Sequence, residues 1–147
     1  MRLAPINSFS PITSFSGKYR FLSNYYIEPD GTHVEGEFQA QKCANPEDMK
    51  KFIGLTPAAA KRLGCSVKLR HDWDDVRLET MRLLVWQKFV DHPSLEDQLL
   101  ATGSAQLVEG NHCNDTFWGM CNGMGSNHLG VILMEVRRKL RMIAAGE

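Results

Sequence analysis

Asp72-Trp73-Asp74-Asp75-Val76-Arg77-Leu78-Glu79-Thr80-Met81-Arg82-Leu83-Leu84-Val85-Trp86-Gln87-Lys88-Phe89-Val90-Asp91 is the stretch whose reading decides the fold. Val76, Leu84, Val85 and Phe89 recur at helical spacing until Pro93 interrupts, which predicts one long helix forming a backbone of the core. Upstream, Thr56-Pro57-Ala58-Ala59-Ala60 reads as a helix start with a cap, a proline in the first turn and good helix formers, and Gly64 can end it. Ser66 to Leu69 is expected to be a brief strand. Glu35 to about Cys43 is a further short helix, with Asn45-Pro46 as its stop because the residue before proline is pushed out of the helical region.

Lys18 to Tyr26 alternates aromatic and polar side chains ahead of the turn signal Pro29-Asp30-Gly31, so a short strand is expected there. The residues through Gly17 mix Ser, Pro and Gly, a composition of irregular structure, and residues 1–14 are assigned as an N-terminal tail or strap. Downstream, Ser94 with Asp97 resembles a capping box for a helix that Gly103 can close, and Gln106 to Glu109 reads as a strand. The last helix begins near Asn127, with Leu129, Leu133, Val136 and Leu140 on one stripe and Arg137, Arg138, Lys139 and Arg141 near its C-terminus, where positive charge suits the helix dipole. The elements sum to a single compact, helix-rich α+β domain with a few short strands, spanning residues 15–147.

A chain of 147 residues is the size of one domain and can bury about 68–70% of the surface its unfolded form exposes. No apolar run approaches the ~20 residues needed to cross a bilayer, so a membrane role is not expected. The 17 basic residues balance the 17 acidic ones, and any polyanion must be met by a local patch. Cys43, Cys65, Cys113 and Cys121 follow a start without an apolar signal core, which reads as cytoplasmic with reduced thiols. His112, Cys113 and Cys121 are close in sequence, but neither a CxxC nor an HxxxH pair accompanies them, so no metal site is assigned.

Three segments carry groups capable of chemistry. Within Glu35-Gly36-Glu37-Phe38-Gln39-Ala40-Gln41-Lys42, positions 35, 39 and 42 share one helix face and place a carboxylate, an amide and an amine on it. Such a face is costly to bury unless its groups pair with one another or with a ligand; the competing reading is a solvated Glu–Lys surface. The loop Glu109-Gly110-Asn111-His112-Cys113-Asn114-Asp115-Thr116-Phe117-Trp118-Gly119 concentrates donors, acceptors and aromatics, either as a functional loop or as an Asx-rich turn bonding only its own backbone. The glycines that follow, up to Asn127, let backbone approach a ligand, and the helix start beyond them offers N–H groups to a diphosphate; loop glycines also serve plain turns. In Tyr19-Arg20-Phe21-Leu22-Ser23-Asn24-Tyr25-Tyr26, Phe21 or Tyr25 can stack on a base and Arg20 can pair with a phosphate, unless the segment is simply an aromatic strand on the core.

These pieces in this order resemble the NADAR (YbiA-like) family of N-glycosidases. The resemblance rests on Phe21-Leu22-Ser23-Asn24-Tyr25-Tyr26, the Glu35–Lys42 helix, Leu69-Arg70-His71-Asp72-Trp73-Asp74 with Arg77 and Met81, Lys88-Phe89, Leu107-Val108-Glu109-Gly110-Asn111, Asp115-Thr116-Phe117-Trp118-Gly119, Gly125-Ser126-Asn127-His128-Leu129-Gly130 and Leu133-Met134. It spans roughly residues 15–140. The family helix commonly reads Glu-His-Ala-Tyr-Gln-Ala-x-Lys; here Gly36, Glu37 and Phe38 replace its second to fourth positions while the Glu, Gln and Lys remain, and Cys113 stands where an aromatic residue is often found.

The resemblance implies a YbiA-like helix-rich domain without metal or cofactor that hydrolyses N-glycosidic bonds. Its substrates are phosphorylated riboflavin-pathway intermediates or ADP-ribose on modified guanine, so ADP-ribose or a related ribosyl phosphate, and ADP-ribosylated DNA or RNA, are the expected partners. Glu35 and Asp115 are the candidates for stabilising the cationic sugar and orienting water, and Lys42 for capturing an opened ribose as a Schiff base. Within the resemblance Trp118 and Phe21 flank the base or sugar, Asn24, Asn111 and Asn127 bond hydroxyls or phosphates, Gln39 completes the helix face, Gly119 admits backbone, and Arg20 meets the phosphate. The expected substrate is ADP-ribosyl guanine, with riboflavin intermediates, or a non-catalytic ADP-ribose reader, as alternatives.

Overall fold

The structure, a computed structural model, describes residues 9–146; the part of the assigned tail in residues 1–8 lies outside them. Among the described residues six α-helices carry the fold, as expected of a helix-rich chain, and extended pairing is confined to isolated bridges where a few short strands were expected. The chain divides into two units, one running Asn24–Asp91, the other combining the segment up to Ser23 with everything from His92 onward.

In the Asn24–Asp91 unit the helices are α1 (Val34–Gln41), α2 (Pro46–Lys50), α3 (Pro57–Gly64) and α4 (Trp73–Asp91). The decisive stretch is helical to within one residue of expectation. Phe38 of α1 packs on Trp73 of α4 with ring centroids 5.0 Å apart, and Val85 and Phe89 are buried further along. Thr56 caps α3 as its sequence predicts, its hydroxyl accepting from the Ala59 amide at 3.2 Å. The start of α1 is held by His33: Nδ1 accepts from the Gly36 amide at 2.9 Å, which leaves the proton on Nε2 to donate to the Leu55 carbonyl at 2.8 Å. A small cluster of Cys43, Phe52 and Ala60 fills the space around α1 and α3.

Two expectations in this unit need correction. Asn45-Pro46 was expected only to stop a helix, yet Pro46 is also the first residue of α2, because a proline lacks the N–H that a first-turn residue leaves unbonded anyway. The strand expected over Ser66–Leu69 reduces to a single antiparallel bridge, Cys43 with Leu69, flanked by Ala44 N–H to Lys68 O and Arg70 N–H to Lys42 O, both 2.9 Å.

The other unit holds a 3-10 helix, Gly17–Leu22, then α5 (Pro93–Ala101) and α6 (His128–Ala144). The 3-10 helix replaces the strand expected from Lys18. Local bonds from the Tyr19 amide to Ser16 O at 3.0 Å and from Ser23 to Arg20 O at 2.9 Å curl the chain, and Phe21 and Leu22 are both buried, which neighbours on an alternating strand cannot both be on one face. Ser94 does not cap α5: Pro93 takes the first position with His92 as N-cap, so Ser94 lies inside the first turn. Gly103, with φ of 63°, follows the helix end in the left-handed conformation expected of it. The strand expected over Gln106–Glu109 reduces to one parallel bridge, Leu107 with Ile12. α5 packs on α6, whose Leu129, Leu133, Val136 and Leu140 stripe is buried as expected. Arg137, expected among the charges complementing the helix end, is buried as well, donating to Thr102 Oγ1 at 2.9 Å.

Candidate active site

The carboxylate–amide–amine face of α1 is turned inward. Glu35 and Gln39 are each only 7% exposed, which removes the solvated-surface reading for them, and Gln39 Nε2 donates to Glu35 Oε1 at 2.9 Å. Burial pushes the Glu35 carboxyl above its ordinary value, against the opposing pull of the Gln39 hydrogen bond and of the charges on Lys61 and Lys42. Lys42, the C-cap of α1, is half-buried; desolvation holds its amine below the usual lysine value, with Cys65, Glu35 and Cys43 opposing. Among the described residues its ammonium makes no hydrogen bond or ion pair, and Gln39 Oε1 is buried without a hydrogen-bond partner. A carboxyl kept within reach of its proton beside an amine made easier to deprotonate can support acid–base and nucleophilic steps.

α3 completes this face with Lys61 and Gly64. A Cβ on Gly64 would collide with Gln39 Oε1 and approach Lys42 Cε to 2.9 Å. Sequence reasoning missed both residues, since no spacing rule links two helices that meet only in the folded chain. The opposite flank of α1 is different in kind: Gly36, Glu37 and Ala40 border an apolar cleft of about 410 Å³ with Met49, Phe52 and Leu55. Burial, with repulsion from Asp30 next, raises the Glu37 carboxyl. Glu35, Gln39 and Lys42 do not line this cleft.

Also in this unit, the Asn24 carbonyl accepts from the Glu35 amide at 3.1 Å and its side-chain nitrogen lies 3.7 Å from Met81 Sδ. Asn24 thus fixes the start of α1. Lys88 was noted in the sequence only as part of the resemblance; it is buried in α4 with its ammonium 5.5 Å from the Tyr26 ring and 5.3 Å from that of Phe89, and desolvation, partly offset by Glu28, lowers its pKa to about 8.

In the other unit the polar loop is organised mostly on itself. Asn111 Nδ2 donates to Asp115 O at 2.9 Å and Glu109 Oε2 at 3.2 Å, while its Oδ1 accepts from the Asp115 amide at 3.0 Å. Asp115 Oδ1 accepts from the Trp118 and Phe117 amides at 2.9 and 3.2 Å. Trp118 is half-buried, with Phe117 edge-on at 4.8 Å and His128 against Phe117 at 4.5 Å, a partner for His128 that spacing did not suggest. Gly119 is buried, and a Cβ there would strike Glu109, so its close approach is to Glu109.

The helix start is not an open phosphate cradle. The amides of His128 and Leu129 already donate to Phe117 O and Trp118 O at 3.1 and 2.9 Å. Asn127 is buried in the left-handed conformation, φ 53°, accepting from the Glu109 amide at 2.9 Å and donating to Leu107 O at 3.0 Å, which spends its amide on the scaffold. Phe21 is buried and Arg20 exposed. The structure therefore gathers Glu35, Gln39 and Lys42 on one face, and Asn111, Asp115, Trp118, Gly119 and Asn127 in one loop system.

A family model, the NADAR domain, matches residues 13–141. An N-glycosidase of Nostoc punctiforme is 40% identical over 138 residues, covering 84% of this chain and 86% of its own length. A riboflavin biosynthesis protein of Vibrio vulnificus is 42% identical over 131 residues, 82% of this chain, which spans only 35% of that relative. The solved structure of the Escherichia coli protein YbiA superimposes with a TM-score of 0.80 at 35% identity, over 93% of this chain and 87% of that one. No helix among the described residues is long and apolar enough to cross a membrane. With seven-eighths of its length inside the matching model and a 40% identical relative covered over 86% of that relative's length, the chain belongs to the NADAR domain family.

Proposed function

We propose that this protein is an N-glycosidase hydrolysing the bond between a phosphorylated ribosyl group and a base nitrogen. The observation that carries the reading is the buried Glu35–Gln39 pair with Lys42 on the same helix face. Burying a carboxyl and thinning the solvent around an amine costs stability, and such costs concentrate where chemistry is done. As the C1–nitrogen bond breaks, positive charge builds on the ribose; the Glu35 carboxylate stabilises it and orients a water whose oxygen bonds to C1 while the base leaves with a proton. Asp115 is the second candidate for that role, and Trp118, Asn111 and Arg20 for binding base, sugar and phosphate. The names of the N-glycosidase relatives support the bond type.

Two substrate classes fit. ADP-ribose on modified guanine rests on the resemblance of the motifs alone. Phosphorylated riboflavin intermediates are favoured by the Vibrio vulnificus relative and by a chloroplastic riboflavin biosynthesis protein of Zea mays, 33% identical over 124 residues. Incubation with ADP-ribosylated guanine DNA and, separately, with phosphorylated riboflavin intermediates, following free base by chromatography, tests the proposal. Release from either supports it and names the class. Release from neither, with free ADP-ribose still bound, replaces the enzyme by a reader.

A further inference from the structure

Gly64 ends α3 and its backbone is not in the left-handed region, so nothing about φ demands glycine there. In an ordinary helix, alanine at such a position stabilises. What demands glycine is space: a methyl group would overlap Gln39 Oε1, lie 2.7 Å from Gln39 Cδ and 2.9 Å from Lys42 Cε. We infer that Gly64 is a positioning residue, whose missing side chain is the space in which the Gln39 carboxamide lies with its nitrogen turned to Glu35. The inference rests on the reading of the Glu35–Lys42 face as the seat of the chemistry.

The amide has little freedom to escape. Turning it over would bring its carbonyl oxygen to the position 2.9 Å from Glu35 Oε1 now held by the nitrogen, setting two acceptors against each other. In the observed orientation Gln39 donates to the carboxylate and leaves its own oxygen buried without a hydrogen bond, resting on the α3 glycine. Lys42 Cε, at the far end of a flexible chain, can move aside. Gln39, 7% exposed and bonded at its nitrogen, cannot do so without releasing Glu35. The remaining titratable groups facing Glu35 are Lys61 from α3, Lys42 from α1 and His33 at its cap. Lys42 also meets the space at Gly64, through its Cε, so the double variant is what assigns the effect of the glycine to the amide.

The test uses the full chain as Gly64→Ala, Gln39→Ala and the double variant, each followed by NMR titration of the Glu35 carboxyl carbon without substrate, by thermal unfolding, and by kcat and KM for whichever substrate the wild type turns over. Loss of the donor moves the Glu35 midpoint upward in both single variants, and the double moves no further than Gln39→Ala. The kcat of Gly64→Ala falls roughly 10- to 100-fold with KM little changed, the scale of an ångström-level misplacement. Should Gly64→Ala fail to fold while the double variant folds, the clash with Gln39 is identified directly. An unmoved Glu35 titration in a folded Gly64→Ala protein overturns the inference, and so does a double variant that also fails to fold. A wild type that releases no base overturns the proposed function, while the titration still decides the role of Gly64.

Discussion

Glu35 is buried at a cost that only its charge explains, so Glu35→Gln separates shape from charge. Turnover in that variant is expected to be nearly abolished with ligand binding retained; turnover within about threefold, a barrier change below ~1 kcal/mol, refutes the carboxylate as principal stabiliser. Stability should move the other way. A carboxyl whose folded pKa is raised penalises the fold above that pKa, so the Gln variant should unfold at higher urea than wild type near pH 7 and lose this advantage as pH falls below the ordinary carboxyl value. Lys42, held below the usual lysine value by desolvation, is tested through its chemistry. If the ribose ring opens, C1 is an aldehyde, the unprotonated amine condenses with it to an imine and water, and borohydride reduces the imine to a stable amine. A ribosyl-mass adduct on the Lys42 peptide is the expected result, and undiminished turnover in Lys42→Arg rules out the covalent route, since a guanidinium stays protonated. The sequence placed these side chains on one face because helical periodicity is a local property. Their burial was not readable from it, because α3 lies over them through Gly64, a residue with no periodic relation to α1.

Among the elements, α3, α4 and α6 were readable because each carries its own signals: a Thr-Pro-Ala start, an apolar repeat, a leucine stripe. The 3-10 helix at Gly17–Leu22 was not, since aromatic–polar alternation imitates a strand and only the burial of both Phe21 and Leu22 decides against it. α4 also carries a feature no pattern announced. Lys88 has its pKa lowered to about 8 by burial. The folded state then releases this proton before the unfolded chain does, so stability should rise as pH climbs from about 8 toward the ordinary lysine value, by about 3 kcal/mol at most. Urea unfolding of wild type and Lys88→Met at pH 7 and pH 10 checks this. The rise should be smaller in the variant, and an equal rise in both would show that Lys88 does not carry it.

For the whole molecule, a ligand selective for the native state must raise the unfolding temperature. At about 100 times its Kd, free ADP-ribose should raise it roughly 5–10 °C for a chain of this size, and less for Trp118→Ala at the same concentration. No shift at millimolar ADP-ribose, with a shift for a phosphorylated riboflavin intermediate, would assign the second substrate class. Helix-rich class, the long α4 and the chemistry-bearing residue types followed from the sequence alone, because periodicity, capping and side-chain chemistry are carried by residues close together in the chain, and the family followed from the resemblance of several motifs in order. Which of those residues stay available to a ligand was decided only by tertiary structure. Asn127 and the first amides of α6 are drawn into bonds with Leu107, Glu109, Phe117 and Trp118, and Gly119 is pressed on Glu109. Glu35 is instead buried on α1 beside an amide held in place by a glycine from α3. A polar group's fate depends on which partners the fold brings to it, and those partners lie too far along the chain for any local pattern to record.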